Sequence, residues 1–298
     1  MGKGKGMKVL IASSNRLGNR SSNQDRCLVM ERPDRVLLAV ADGMGGHARG
    51  ELAAETAVNS LSQTFLNQRE AVAEPEQFLK AALEIAHLET VEAGRTSTPP
   101  VEPRTTCVVC LVQGNQAWWA HVGDSRLYLL RAGSLVTRTR DHTPVEELLQ
   151  NGVIREDELN THPLRNSVSR CLGGALRFPK ISFDHAELEP GDTLLLCSDG
   201  LWSALPEQKL LDIPACGELE FAVNGLTDEA EKASYPHSDN VSLVGLCWLS
   251  AGDPQTSNTR CSAGQHGKAA AIEEKDPLQQ AIDDINRAIL DYASEMKK

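Results

Sequence analysis

The sequence predicts an α+β fold in which two antiparallel β-sheets pack face to face and carry helices on their outer surfaces. Three observations predict it. Short runs rich in Val and Leu, bounded by Gly, Asn or Asp, recur along most of the 298 residues. Two long Ala/Leu/Glu-rich helical patterns sit together early in the chain. The turn signals V-Q-G-N-Q at 112–116 and R-A-G-S at 131–134 join strands as hairpins rather than by crossover helices. That order favours packed antiparallel sheets over a doubly wound parallel sheet.

Element by element, strands are expected at Lys8–Ser13, Cys27–Val29 and Val36–Ala41. The helical patterns Glu51–Leu66 and Pro75–Gly94 follow. A meander then uses Thr105–Leu111, Ala117–Val122 and Leu127–Arg131, and later strands fall at Thr193–Cys197 and Val241–Cys247 with a helix between them. Residues 139–185 are mixed and polar, with helices expected at Pro144–Asn151 and Asn166–Leu172, and read as a lobe beside the main body. Residues 1–7 read as a flexible extension.

After Trp248 the composition changes to a polar, Gly- and Ser-containing stretch without period, so residues 250–273 read as a linker. Residues 274–298 then read as an amphipathic helix. Asp276 caps it, Pro277 suits its first position, and Gln279 completes a capping box. Leu278, Ile282, Ile285, Ile289, Tyr292 and Met296 form one apolar stripe. That stripe packs on the body, pairs with a second copy, or binds a partner.

Composition excludes some classes. A net charge of −11 argues against a nucleic-acid binder and fits a protein that holds cations. No stretch approaches the roughly 18 apolar residues of a membrane span, and the start lacks a signal-type apolar run. Eight scattered cysteines among apolar neighbours read as reduced, cytoplasmic thiols. Cys107 and Cys110 form a CxxC in what reads as a strand, where a spacing of three puts the side chains on opposite faces. Buried thiols are favoured there over a redox pair or a zinc site.

The chemistry lies in four acidic stops. VLLAV-ADG ends at Asp42, WWAHV-GDSR at Asp124 and TLLLC-SDG at Asp199, while HSDN places Asp239 just before a strand. Each sits where an apolar run meets a turn, so all four could face one cavity at the sheet ends. One such Asp is ordinarily a turn former. Several together repel and lose hydration unless a cation joins them. Oxygen ligands suit Mg²⁺ or Mn²⁺, and nothing resembles a Cys or His set for zinc. Gly43 has no side chain, so its carbonyl can approach an ion closely, and Gly45 and Gly46 permit a tight turn into a helix starting near Gly50. In GNRSSNQDR, Asp25 opens a strand and Arg20 offers a fork of donors suited to phosphate oxygens.

These pieces together resemble the metal-dependent Ser/Thr protein phosphatases of the PP2C or PPM type, in their compact bacterial form. The matching segments, in order, are RSSNQD (20–25), ADGMGGH (41–47), TT (105–106) and HVGDSRLYLLRAGSL (121–135). TRDHTPVEELLQNGVI (139–154), HPLRNSVSRCLGG (162–174), SDGLW (198–202) and SDN (238–240) continue the series. The resemblance spans residues 8–249. It implies an αββα sandwich with a dimetal cleft at one edge of the sheets and a flap at 141–185 that is a place for substrate choice.

On the matching positions, the resemblance implies that Asp42 bridges two Mn²⁺ or Mg²⁺ ions. Asp199 and Asp239 would hold the first ion and the Gly43 carbonyl the second. Asp25 would act through a metal-bound water, Asp124 with Asp199 would serve the third ion of bacterial relatives, and Arg20 would bind the substrate phosphate. The implied reaction is hydrolysis of phosphoserine or phosphothreonine on proteins by direct attack of a water held between the two ions. A cognate Ser/Thr kinase is implied by analogy. Cys197 is followed by SDGLW and no cysteine has a CxxxxxR cradle, which argues against a thiol phosphatase. One departure stands out: animal-type relatives carry a His general acid where this chain has Met44, which has no proton to donate. His47, three residues later, is a candidate substitute, but a structural or surface role is favoured for it and a metal-bound water is the alternative proton source; His121 reads as a packing or hydrogen-bonding residue. A small phosphorylated substrate, an inactive binding module and a non-phosphatase metal hydrolase are the rival functions.

Overall fold

A computed structural model of the protein describes residues 6–44, 48–155, 158, 162–165, 167–174, 177–213 and 216–250. The chain divides after Thr256 into two units, and the fold described is that of the first. The expected linker, the C-terminal helix and His47 lie outside the described residues. So does most of the N-terminal extension, although Met7 donates a backbone hydrogen bond to the Pro33 carbonyl at 2.9 Å.

Burial on both faces explains why the central strands read as unbroken apolar runs. In β3 (Arg35–Met44), Val36, Leu38 and Val40 point one way and Leu37 and Ala39 the other. The first set meets Leu127 and Leu129 of β7 (Arg126–Arg131), Leu194 and Leu196 of β11 (Thr193–Cys197), and Val244 and Leu246 of β12 (Val241–Ser250). This is the seam between the sheets. The second set meets Ala57, Leu61 and Phe65 of α1 (Ala48–Asn67) and Leu79 and Leu83 of α2 (Pro75–Thr96). Each such fully buried Leu, Val or Phe side chain contributes roughly 1.5–3 kcal/mol.

One sheet runs β1-β12-β11-β7-β8, with β1 at Lys8–Arg16 and β8 at Ser134–Arg138. The other runs β10-β6-β5-β3-β4-β9, with β2 (Asp25–Arg32) also paired to β3. Here β4 is Arg104–Thr105, β5 Cys107–Gln113, β6 Gln116–Val122, β9 Leu172–Gly173 and β10 Ser182–Glu187. The pairings are antiparallel. The outer face of the first sheet is covered by α4 (Asp199–Trp202), α5 (Glu207–Leu211) and α6 (Leu219–Ala233), through Leu201, Leu210, Val223 and Leu226. The layers are therefore helix, sheet, sheet, helix, as expected.

Both predicted hairpins form. The loop Ala132–Gly133 has φ of 49° and 74°, the two positive values a type I′ turn needs. Cys107 lies in the core under the helices and Cys110 in the seam between sheets, so the CxxC is split across β5 as its spacing requires. Cys27, Cys107, Cys110, Cys171 and Cys197 are free thiols. Cys247 is disulfide-bonded, which departs from the expectation of reduced thiols throughout.

Other expectations need correction. The helix after Gly46 begins at Ala48, ahead of Gly50. No helix covers Ser167–Leu172, the described part of the helix expected at Asn166–Leu172. Ser167 to Cys171, as described, are irregular, and Leu172–Gly173 pairs with β4. Gly173 and Gly174 have φ of 79° and 71°, which ends any helical path. Strand β8 is the second arm of the hairpin expected at 131–134, and β10 is not among the expected strands. Both are sheet edges, and their half-exposed sequences SLVTR and SFDHAE lack the apolar run of the inner strands.

Candidate active site

The sheet ends converge on a cleft of about 270 Å³. Its walls include Asp42, Asp124, Asp199 and Asp239, with Arg20 and Gly43 beside them. Thus six of the seven residues expected at the site share one cavity. The seventh, Asp25, lies behind the wall at 1% exposure, opposite Asp42 across the β2–β3 pair.

Local structure explains each placement. Asp42 is held by its backbone: its N–H donates to Thr106 Oγ1 at 3.3 Å, and its carbonyl accepts from Thr106 N and Thr105 Oγ1, each at 2.9 Å. Asp25 Oδ2 accepts a 2.6 Å hydrogen bond from Ser198 Oγ, which in turn accepts from Ser242 N at 3.0 Å. Ser198 precedes Asp199, so the hydroxyl ties the two carboxylates' strands together. Asp124 follows Gly123, whose φ of 107° turns the chain out of β6. The Asp124 carbonyl accepts from Trp202 Nε1 at 2.9 Å.

Gly43 is required for packing as well as for access. A Cβ there would lie 2.0 Å from the Gly50 carbonyl oxygen, a backbone atom on α1 that cannot step aside alone. The Gly43 N–H donates to the Gln24 carbonyl at 3.1 Å. Met44 lines the cleft, pairs with Arg104 and has no acidic proton, so it fills wall rather than supplying chemistry.

Arg20 donates to Asp239 Oδ2 at 2.6 Å with its side chain 56% exposed. Asn240, which the sequence reading passed over, is the staple of this corner. Its Oδ1 accepts from Gln24 N at 2.8 Å, and its Nδ2 donates to the carbonyls of Leu17 at 2.8 Å and Ser22 at 3.1 Å. One amide thereby holds the Arg20 loop against the start of β12. An Asn immediately before a strand gives no sign of this, since its partners lie more than two hundred residues away in sequence.

The electrostatics are those of carboxylates withheld from water. Burial raises Asp25 to about 7, with Asp199 and Asp239 adding repulsion against the opposing hydrogen bonds of Ser198 and Ser242. Burial, then Asp239, raises Asp199 to about 6. Burial, then Asp199 and Asp141, raises Asp124 to about 8. Burial and four neighbouring aspartates hold Asp42 well above the ordinary range. Arg20 contacts Asp239 directly, and its charge works against the rise at Asp199.

Such a set fits hard divalent cations. The carboxylate donors are oxygens, no His or Cys among the described residues lines the cleft, and Gly43 lines it. A cation would convert mutual repulsion into shared ligation. Among the described residues no three His, Cys, Asp or Glu side chains close into a ready-made shell, and Asp239 is turned to Arg20.

His121 hydrogen-bonds the Arg140 carbonyl through Nε2 at 2.8 Å and stacks on His142, matching the packing and hydrogen-bonding role expected of it. The buried thiol of Cys197 is pushed up to about 12, which leaves no thiolate for attack.

Two antiparallel sheets between helical layers, ending in an all-oxygen acidic cleft, define a four-layer protein suited to divalent cations. The chain belongs to the Protein phosphatase 2C family, whose model matches residues 14–219. It is 34% identical over 233 residues to the serine/threonine protein phosphatase PstP of Mycobacterium tuberculosis, covering 76% of this chain and 42% of that protein. The chain thus spans less than half the length of that relative. The crystal structure of the M. tuberculosis phosphatase PstP/Ppp superposes with a TM-score of 0.72 at 30% identity, over 81% of this chain and 99% of that one. A PstP catalytic domain in complex with two manganese ions superposes with a TM-score of 0.68 at 32% identity, over 81% of this chain and 98% of that one.

Proposed function

We propose that this chain is a metal-dependent protein phosphatase that hydrolyses phosphoserine and phosphothreonine in proteins. The observation that carries the reading is the meeting of Asp42, Asp124, Asp199 and Asp239 with Arg20 in one cleft. Asp42, Asp199, Asp239 and the Gly43 carbonyl would hold a pair of Mn²⁺ or Mg²⁺ ions, and Asp124 with Asp199 a third. When bound, the ions supply a lowered pKa for water and neutralise phosphoryl charge. The two-manganese PstP structure supports a manganese pair.

The chain's own groups do the rest. Arg20 is exposed enough to leave Asp239 and present its fork of N–H donors to phosphoryl oxygens. Asp25 stays behind the wall, where its bond from Ser198 fixes the strand ends carrying Asp42 and Asp199. No covalent phosphoenzyme is needed, since the Cys197 thiol is buried and protonated. Met44 leaves proton delivery to the departing serine or threonine oxygen to water rather than to a wall side chain. The substrates are proteins phosphorylated by a cognate Ser/Thr kinase. Five free thiols among the described residues support a cytoplasmic setting, with the disulfide at Cys247 the one observation against it, and no helix among the described residues is long and apolar enough to cross a membrane.

The test is phosphate release from a phosphothreonine peptide with Mn²⁺, with Mg²⁺ and with EDTA, for the wild type and Asp239→Asn. Activity that needs metal and collapses in the variant is expected. A folded wild type that releases no phosphate under either metal would overturn the reading in favour of a phosphatase-shaped binding module.

A further inference from the structure

His142 lies outside the cleft, yet it ties together three stretches of chain around it. Its N–H donates to the Gly123 carbonyl at 2.9 Å, and its Nδ1 accepts from the Gly123 N–H at 3.1 Å. An Nδ1 that accepts leaves the proton on Nε2, which donates to Ser182 Oγ at 2.8 Å. Its carbonyl accepts both the N–H and the hydroxyl of Ser169, each at 2.8 Å. Its ring stacks on His121 with centroids 4.5 Å apart and planes 16° apart. Burial, then His121, Arg170 and Lys180, pushes the imidazole down to about 3, so it stays neutral as the hydrogen bonds require.

These contacts join three places. Gly123 precedes Asp124. Ser169 follows Val168, the residue of the 141–185 segment that lines the cleft. Ser182 opens β10 at the sheet edge. Beside them, Arg126 grips Asp141 through two bonds of 2.8 and 2.7 Å, so residue 142 is also fixed from its N-terminal side. Whatever moves His142 moves the Val168 wall relative to the sheet end.

We infer that His142 is a positioning residue: its ring pins residue 142 to Gly123 and Ser182, which keeps its backbone carbonyl on Ser169, holds the Val168 segment against the cleft and so sets how a phosphorylated peptide, as distinct from its phosphate alone, is gripped. The inference rests on the phosphatase reading for its substrate and on the hydrogen bonds for its geometry. A peptide must lie along the Val168 wall, whereas a small aryl phosphate needs only Arg20 and the acidic floor. Loosening the wall therefore weakens peptide binding and spares the small substrate.

The experiment compares wild type, His142→Ala, His142→Asn and Ser182→Ala on a phosphothreonine peptide and on para-nitrophenyl phosphate, with hydrogen exchange at the Gly123 and Ser169 amides. In His142→Ala, which loses the ring's bonds to Gly123 and Ser182, we expect the peptide KM to rise about tenfold. The kcat/KM for the aryl phosphate should stay within about twofold of wild type on the same argument, and both amides should exchange faster. His142→Asn, whose Oδ1 can take the Gly123 N–H, restores Gly123 protection and part of the peptide KM. Ser182→Ala, the milder change, shifts the peptide KM in the same direction. Equal losses on both substrates, an unchanged peptide KM, or unchanged exchange at Ser169 would overturn the inference. If the wild type turns over neither substrate, the phosphatase reading fails, and retained protection of both amides in His142→Ala would then overturn the latch by itself.

Discussion

Asp25 and Asp42 stand opposite each other across the β2–β3 pair, one at the first residue of its strand and the other two residues before its strand ends. Neighbouring strands are about 4.8 Å apart, so two carboxylates in this register repel at short range unless a proton or a cation intervenes. Asp25 faces inward to Ser198 and Asp42 faces the cleft. The pair is thus divided into a buried anchor and a ligand, and the protonation of the whole acidic set is linked to what the cleft holds.

That linkage has a sign. Asp25, Asp199 and Asp124 have folded-state values of about 7, 6 and 8, against an ordinary 3.8. For an acid raised in the folded state, the native form holds protons that the unfolded chain has released. Its contribution is complete below about pH 4 and is lost as pH rises through 6 to 8. In EDTA the thermal midpoint should fall steadily between pH 5 and pH 8. With excess Mn²⁺ the fall should flatten, because ligation favours the ionised carboxylates. Melting curves at four pH values with and without metal check this, and a pH-independent midpoint in EDTA would count against the electrostatic account.

Ser198→Ala should destabilise the fold by about 1–3 kcal/mol, since it strips a fully buried hydroxyl from Asp25 Oδ2 and leaves Ser242 N without its acceptor. It should also steepen the EDTA pH dependence, because a hydrogen bond that favours the Asp25 anion is gone. Urea unfolding at pH 5 and pH 8 separates the two effects. A variant as stable as wild type at both would mean that water replaces the hydroxyl without cost.

Much of this was legible in the sequence, for physical reasons that also explain the failures. VLLAVA and TLLLC betray strands buried on both faces, and each acidic stop marks where such a strand meets the cleft. The edge strand at Ser182–Glu187 carries polar residues on its open side and was overlooked. The segment at 166–172 has helix-like composition, but Ser169 is bound to His142 and two positive-φ glycines end it. Asn240, Ser198 and His142 act through hydrogen bonds to residues remote in sequence, so no local pattern announces them.

Gly43→Ala and Gly225→Ala should move stability in opposite directions. A Cβ at Gly43 would meet the Gly50 carbonyl oxygen at 2.0 Å and the Gln24 carbonyl oxygen at 2.8 Å, both backbone atoms. Parting β3 from α1 should cost at least about 2 kcal/mol and cut activity with it. At Gly225, within α6, an added Cβ meets nothing, and the helix should gain about 0.5–1 kcal/mol from the lost flexibility of glycine. Denaturation midpoints of the two variants decide it. A tolerated Gly43→Ala would show that α1 can shift and that the glycine serves only the approach of its carbonyl to a ligand.

Arg20→Ala tests the division of labour at the cleft mouth. Without a cation the guanidinium is paired to Asp239 at 2.6 Å, so Arg20 and an incoming ion compete for one carboxylate. Removing Arg20 should therefore leave Mn²⁺ affinity unchanged or tighter, while kcat/KM for a phosphopeptide falls on the order of 10²-fold through loss of the donors facing the phosphoryl oxygens. Arg20→Lys should fall between the two, since it keeps the charge and loses the fork. Calorimetric titration of Mn²⁺ beside steady-state kinetics measures both quantities on the same protein. If Mn²⁺ affinity and turnover drop by the same factor, Arg20 organises the acidic set and does not act on phosphate. If only turnover drops, the guanidinium leaves Asp239 for the substrate, and the ion pair seen here is its resting position.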